Sequence, residues 1–385
     1  MDVKNYLIMG LIFALLIASG CAGTEKPEQK SGEPIKIGVL VSYTGSLGTY
    51  GQGMARGAEL ARDEINRKGI KGSNVTLIIE DTGSDATKAT DAARKLINVD
   101  KVQVIIGAVS STETLAIAPI ANQNKVVVIS ATSTAASVTD AGDYIFRVVG
   151  SDALQGEAMA KVAEKKNYTK AATLVQNNDY GKGLEAVIKS KFNGTVVKSV
   201  QYGTGRTDYK TELQGIKEAN PDVIMFVGYP AEASMILLDS KKIDLNVPWI
   251  AAEGIADPKM FENPEVAARM EGMLLTRPAS TAENPDYKNF VSVHKQVYGV
   301  EPGIYADTYY DATMLAALAI ENSGNDGEKI KNALPVISRT YKGVSGNKPF
   351  DKNGDVPQDY AILEVKNKAM VTIGSWNPAA GVTLQ

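Results

Sequence analysis

Histidine and cysteine are almost absent: the 385 residues contain one of each, His294 and Cys21. One cysteine excludes an internal disulfide. One imidazole and one thiol leave zinc ligation and Cys/His nucleophilic catalysis without their residues. A GxSxG nucleophile elbow is also missing, and no convincing pair of acid–base carboxylates stands out. The chain has no excess of basic residues: Lys and Arg total 41 against 44 Asp and Glu, a net charge of −3. That balance excludes nucleic acid as the main partner. Calcium is the one metal with a look-alike motif, Asp351-Lys-Asn353-Gly-Asp355. Val356 and Ile362 stand where a calcium loop needs glycine and glutamate, so the segment reads as a turn between strands. His294 lies in the polar stretch VSVHKQVYG and reads as a surface residue.

Apolar residues make up 44% of the chain, enough for well-packed cores. The first apolar run, Leu7–Ile17, is too short for a comfortable membrane span and is followed by Ala18-Ser19-Gly20-Cys21. A short hydrophobic core before small residues predicts a secretion signal over residues 1–21. ASGC resembles a lipobox, which makes Cys21 the expected acylated residue. Residues 22–34 are polar, charged and contain proline and glycine, as suits a flexible tether.

From Ile35 onward, short apolar runs alternate with helical periodicity. Strands are expected at 35–41, 75–81, 102–106 and 126–130, with helices between them at 54–65, 86–99 and 112–122. The order restarts after a connecting strand at 145–148, with strands at 171–176, 196–201, 222–227 and 247–252. Repeated βα units imply two open, parallel-sheet α/β lobes. The alanine-rich segment 306–322 is a long helix without an obvious partner sheet, and 356–365 with 369–373 reads as a hairpin around Asn367-Lys368. The glycines after the first strand run GxxGxxGxG and no Lys-Ser/Thr follows, so the segment reads as a tight turn rather than a nucleotide loop.

VIIGAVSSTET, 104–114, ends a buried strand in serines that open a helix, with Ser110 and Glu113 at capping-box spacing. The next strand ends in Ser130, Thr132, Ser133 and Thr134. Adjacent strands of an open sheet deliver their ends to one crevice, and a helix N-terminus beside hydroxyls suits a small carboxylate. Glu253 follows the apolar strand of WIAAEGI and faces the crevice mouth; Tyr180 and Tyr229 follow two other strands of the second unit.

With IKIGVLVSYTGSLGTYGQGMARGAELARDEIN, VQVIIGAVSSTETLAIAPIA, VVVISATSTA, NNDYGKGL, DVIMFVGY and WIAAEGI in this order, the chain resembles the branched-chain amino-acid binding proteins of ABC importers, which have the type I periplasmic-binding fold. The resemblance implies two Rossmann-like lobes, 35–150 with 277–350 and 151–276 with 351–385, joined by a three-crossing hinge. It implies a monomeric, extracytoplasmic, lipid-anchored receptor without catalytic residues, cofactor or metal, which delivers an amino acid to a membrane permease. Ser111 and Thr134 would hold the ligand carboxylate. The Thr132 carbonyl, the Thr134 hydroxyl and Glu253 would take its ammonium. Tyr180 and Tyr229 would close from the second lobe, and Tyr50, Val109 and Ser110 would face the ligand side chain. Thr132-Ser133 stands where relatives often have alanines, and Ser84 and Ser110 where some have cysteines, which makes the pocket more polar. Other expectations weighed are a receptor for a small amide or an aromatic or other carboxylic acid, and a ligand-sensing regulatory domain.

Overall fold

The computed structural model describes residues 32–279 and 284–385; Cys21, the signal and most of the tether lie outside them. The first unit contains β1 (Ile35–Val41), α1 (Gly48–Asn66), β2 (Val75–Asp81), α2 (Ala86–Asn98), β3 (Val104–Ile106), α3 (Ser111–Gln123), β4 (Val127–Ser130) and β5 (Ile145–Arg147). The second contains α4 (Asp152–Lys165), β6 (Lys170–Gln176), α5 (Asp179–Lys191), β7 (Thr195–Tyr202), α6 (Lys210–Ala219), β8 (Val223–Val227), α7 (Pro230–Lys242), β9 (Trp249–Ala251), α8 (Pro264–Met270) and β10 (Leu274–Pro278). Then follow α9 (Pro285–Tyr298), α10 (Ala306–Ser323), α11 (Gly327–Ile337), the two-residue strands β11 (Lys342–Gly343) and β12 (Gly346–Asn347), β13 (Tyr360–Lys366), β14 (Ala369–Asn377) and β15 (Gly381–Leu384).

β1–β5 form a parallel sheet in the order β2-β1-β3-β4-β5. β3 and β4 are buried along their whole length, as a sheet covered on both faces requires. The second sheet has the order β15-β14-β13-β10-β9-β8-β6-β7, parallel from β7 to β10 and antiparallel beyond. The chain crosses between the sheets three times: from β5 to α4, from β10 back to α9–α11, and from there to β13. α10 covers the first sheet, where the Tyr309 hydroxyl donates to the Leu40 carbonyl at 2.7 Å. It also packs against α1, at a point where a side chain on Gly57 would collide with the Ala306 carbonyl.

Four readings are corrected. The glycine segment is a turn only at its start, where Gly45 is left-handed at φ 83°; Gly48, Gly51 and Gly53 are the opening of α1, which begins six residues earlier than the periodicity indicated. The glycines let α1 run against bare backbone, since a Cβ on Gly51 would overlap the Ser42 carbonyl and one on Gly53 would crowd Gly303. His294 is fully buried, not on the surface. Its Nδ1 lies 2.9 Å from the Val300 carbonyl, and its ring packs between Phe290 and Tyr298. The C-terminal hairpin has a third strand, β15; its turn residues Asn367 and Lys368 are both left-handed, at φ 52° and 60°, as a tight hairpin demands. Pro119, whose place late in the helical pattern predicts a bend or a shortened helix, does not shorten α3, which continues to Gln123.

Candidate functional site

The site is built first from α3. Ser110 caps this helix: its Oγ accepts from the Glu113 N–H at 3.2 Å, and Glu113 Oε2 accepts from the Ser110 N–H at 2.6 Å. Ser111 begins the helix proper, and its Oγ accepts from the Ala135 N–H at 3.1 Å. That bond draws the loop after β4 against the helix N-terminus and places Thr132 and Thr134 beside it. Arg147, buried at the end of β5, holds the same loop by donating to the carbonyls of Thr134 and Ala135 at 3.0 and 2.9 Å. It also forms a two-point pair with Asp355 of the third crossing, at 2.6 and 2.9 Å.

The opposite wall comes from the second sheet. Glu253 lies in the short helical turn after β9, 6% exposed, and its Oε1 accepts from the Tyr180 hydroxyl at 3.1 Å. The rings of Tyr180 and Tyr229 stack at 5.6 Å and 11°. The walls meet: the Tyr50 hydroxyl donates to the Gly254 carbonyl at 3.0 Å, and the Asp179 N–H donates to Thr112 Oγ1 at 3.2 Å. Between them lies a narrow cleft, largely filled by the side chains of its own two walls.

Tyr50, Val109, Ser110, Ser111, Thr132, Thr134, Tyr180, Tyr229 and Glu253 all line this cleft. Ser133 does not: its hydroxyl is turned into the core, 2.7 Å from Thr114 Oγ1. The Thr132 hydroxyl is also taken, donating to the Val109 carbonyl at 2.6 Å, so Thr132 offers the cleft its backbone. Sequence reasoning missed Leu47, Met54, Gly254 and Tyr305. Tyr305 stands left-handed at φ 66° before α10 and meets the Tyr50 ring edge-on at 5.9 Å; no local pattern signals it.

The electrostatics are one-sided. Among the described residues no Lys, Arg or His lines the cleft. Burial pushes the Glu253 carboxyl up to about 7, against hydrogen bonds from Gln155 and Tyr180 that favour its ionised form. Its Oε2 has no hydrogen-bond partner among the described residues. Burial, reinforced by acidic neighbours, raises Tyr180, Tyr229 and Tyr305 as well, which keeps their hydroxyls as neutral donors. No described group of His, Cys, Asp and Glu is arranged to hold a metal ion. The cleft thus pairs a helix N-terminus and hydroxyls with an incompletely satisfied acid, between two α/β lobes on a three-strand hinge.

Fold and cleft together define a two-lobed solute receptor. Residues 34–369 match the periplasmic binding protein family, and the chain belongs to it. The chain is 28% identical over 361 residues to the leucine-, isoleucine-, valine-, threonine- and alanine-binding protein of Pseudomonas aeruginosa, covering 92% of this chain and 94% of that one. A leucine-binding protein of Thermotoga maritima shares the structure with a TM-score of 0.82 at 33% identity, over 89% of this chain and 99% of that one. A solute-binding protein of R. palustris in complex with benzoate shares the fold with a TM-score of 0.80 at 22% identity, over 91% and 98% of the two chains. The coarse role follows: a non-enzymatic, solute-binding component of an ABC transporter.

Proposed function

We propose that the protein is the extracytoplasmic receptor for a neutral aliphatic amino acid and delivers it to the permease of an ABC importer by closure of the hinge. The observation that supports this most is the charge of the cleft: an acid with an unpartnered oxygen, hydroxyls, a helix N-terminus, and no basic side chain among the described residues. A buried charge without a partner is very costly. A zwitterion brings what this cleft lacks, a cation for Glu253, and places its carboxylate at the start of α3, where the Ser111 hydroxyl and the Thr134 backbone N–H offer donors. A simple acid such as benzoate would bring a second negative charge beside Glu253. Because Glu253 and the hydroxyls stand on different lobes, the ligand binds the closed arrangement best and shifts the hinge toward it.

Calorimetric titration with the twenty amino acids and benzoate tests the reading. Binding of one or more neutral amino acids and none of benzoate is expected; benzoate binding without amino-acid binding would overturn it. We also propose that Cys21 carries the lipid that anchors the receptor. Cys21→Ser should move the protein from the membrane fraction to the soluble fraction with its ligand affinity unchanged.

A further inference from the structure

A second carboxylate stands behind the first. Asp152 opens α4 directly after the first crossing, and its side chain is 0% exposed. Neither of its oxygens has a hydrogen-bond partner among the described residues. Its N–H donates to the Thr134 carbonyl at 2.8 Å, which ties it to the cleft loop. Gln155, one turn further on the same face of α4, donates through Nε2 to the Thr276 carbonyl and hydroxyl at 3.0 and 3.1 Å, and its Oε1 is also without a partner. With Oε2 of Glu253, four buried acceptor atoms of these side chains make no close hydrogen bond, although the Thr134 hydroxyl acts on Asp152 and the Gln155 amide on Glu253 in favour of the ionised forms. Such acceptors are ordinarily satisfied.

We propose that Asp152 is a specificity-determining residue: with Glu253 it forms a two-carboxylate cup that shares one proton while the cleft is empty and releases it to solvent when a cationic nitrogen enters. This rests on the amino-acid reading of the cleft. The ammonium group arrives already protonated, so the proton released is the cup's own. Two carboxylates buried together cannot both ionise without a cation between or beside them. The titratable groups around the pair supply no such cation at the cleft. Tyr180 from α5, Tyr229 before α7, Tyr305 before α10 and Tyr360 on β13 are neutral donors. Arg147 on β5 acts on Asp152 but is paired with Asp355. Arg277 and Lys348 line an adjoining cavity that shares Glu253 and Tyr305 with the cleft, and neither is among the groups that act on the Glu253 carboxyl. Burial first, and then the Glu253 charge, hold Asp152 well above the usual carboxylate range.

The cup also sets the polarity of Thr134, whose hydroxyl favours the ionised form of Asp152. An ionised carboxylate only accepts hydrogen bonds. The Thr134 proton is drawn toward Asp152, and its lone pairs are left for N–H donors in the cleft. This end therefore selects a charged nitrogen and rejects a carboxylate.

Calorimetry of the full chain with L-leucine, L-valine, L-alanine and L-threonine, in buffers of different ionisation enthalpy, reads the proton directly. Release of roughly half a proton or more per amino acid at pH 7 is expected. In Asp152→Asn the release should fall toward zero and affinity should weaken about tenfold, the scale of one lost bond to a charged group. Binding without proton release by the wild-type chain would overturn the cup and leave the amino-acid reading standing, and needs no variant to fold. Wild-type proton release in Asp152→Asn would overturn it equally. Failure of all four amino acids to bind would overturn the underlying reading, and the cup with it.

Discussion

The two walls of the cleft differ in how complete they are without a ligand. In the wall from the first sheet the hydroxyls are bonded within the lobe, and of its acid Glu113 only Oε1 is left without a partner among the described residues. Ser110 Oγ lies 2.8 Å from Glu113 Oε2, Thr132 bonds the Val109 carbonyl, Ser133 bonds Thr114, and Ser111 receives the Ala135 N–H. The wall from the second sheet is less complete: Asp152, Gln155 and Glu253 keep buried acceptors with no close hydrogen bond among the described residues. The four bonds of the first wall lie within one lobe and do not depend on its closure, while Asp355 of the third crossing braces the same loop through Arg147. The second wall is electrostatically unfinished until a ligand brings positive charge. Preorganisation thus resides in one lobe and the incentive to close in the other. That division lets a small solute move a hinge, since a ligand shifts an equilibrium only by its difference in affinity for the two states.

The largest expected effect comes from breaking the more complete wall. Asp355→Ala would leave the buried Arg147 guanidinium without its ion-pair partner, which costs about 3–5 kcal/mol. The urea midpoint should fall accordingly; an unchanged midpoint would mean that Arg147 does not brace the Thr134 loop. Breaking the unfinished wall should act on binding instead. Glu253→Gln should weaken amino-acid affinity by about 2–5 kcal/mol, the range for truncating one member of a buried charge pair, while the ligand-free protein keeps its stability or gains some. Equal affinity in calorimetry would remove Glu253 from ligand recognition.

The contrast between the walls also has a pH signature. The Glu253 carboxyl titrates at about 7 in the folded chain, against an ordinary value of 4.5. The folded state therefore holds this proton more tightly than the unfolded state. The associated stability is fully present below pH 4.5 and is lost as the pH rises through 7, by up to about 3 kcal/mol in the ligand-free protein. Asp152, raised for the same cause, acts in the same direction. Thermal unfolding without ligand should fall between pH 5 and pH 8, and Glu253→Gln should flatten most of that slope. A melting temperature that rises over this window would contradict the burial of an unsatisfied acid.

Much of this architecture is legible along the chain. β3 and β8 are continuous apolar runs, β1, β4 and β6 are mostly apolar, and the Ser110–Glu113 spacing gives the capping box that the helix adopts. Glu253, Ser111 and Thr134 are found because each follows a strand end, and strand ends converge. What stays hidden depends on distant partners. Gly51 and Gly53 look like loop residues until Ser42 and Gly303 are seen to lie against α1. His294 looks exposed until its helix is packed through Phe290 onto Tyr310. Asp152 sits in a helical pattern like any other acid, and nothing near it in sequence shows that Glu253 and Thr134 will enclose it. Arg147 and Asp355 are separated by 208 positions.

The smallest expected effect is the sharpest test of the contrast, because it uses two serines of the same wall. Ser133 faces the core and Ser111 faces the cleft, and each makes a hydrogen bond within the lobe. Ser133→Ala removes a buried hydroxyl and leaves Thr114 short of a partner, so it should lower folding stability by about 1 kcal/mol with ligand affinity unchanged. Ser111→Ala should lower stability by a similar amount through the lost Ala135 contact, and also weaken amino-acid binding, because its hydroxyl lines the cleft. Measuring unfolding and calorimetric affinity for both variants separates the roles. If the two serines lowered affinity alike, the hydroxyl wall would be a single cooperative unit, and its division into core-facing and ligand-facing residues would fail.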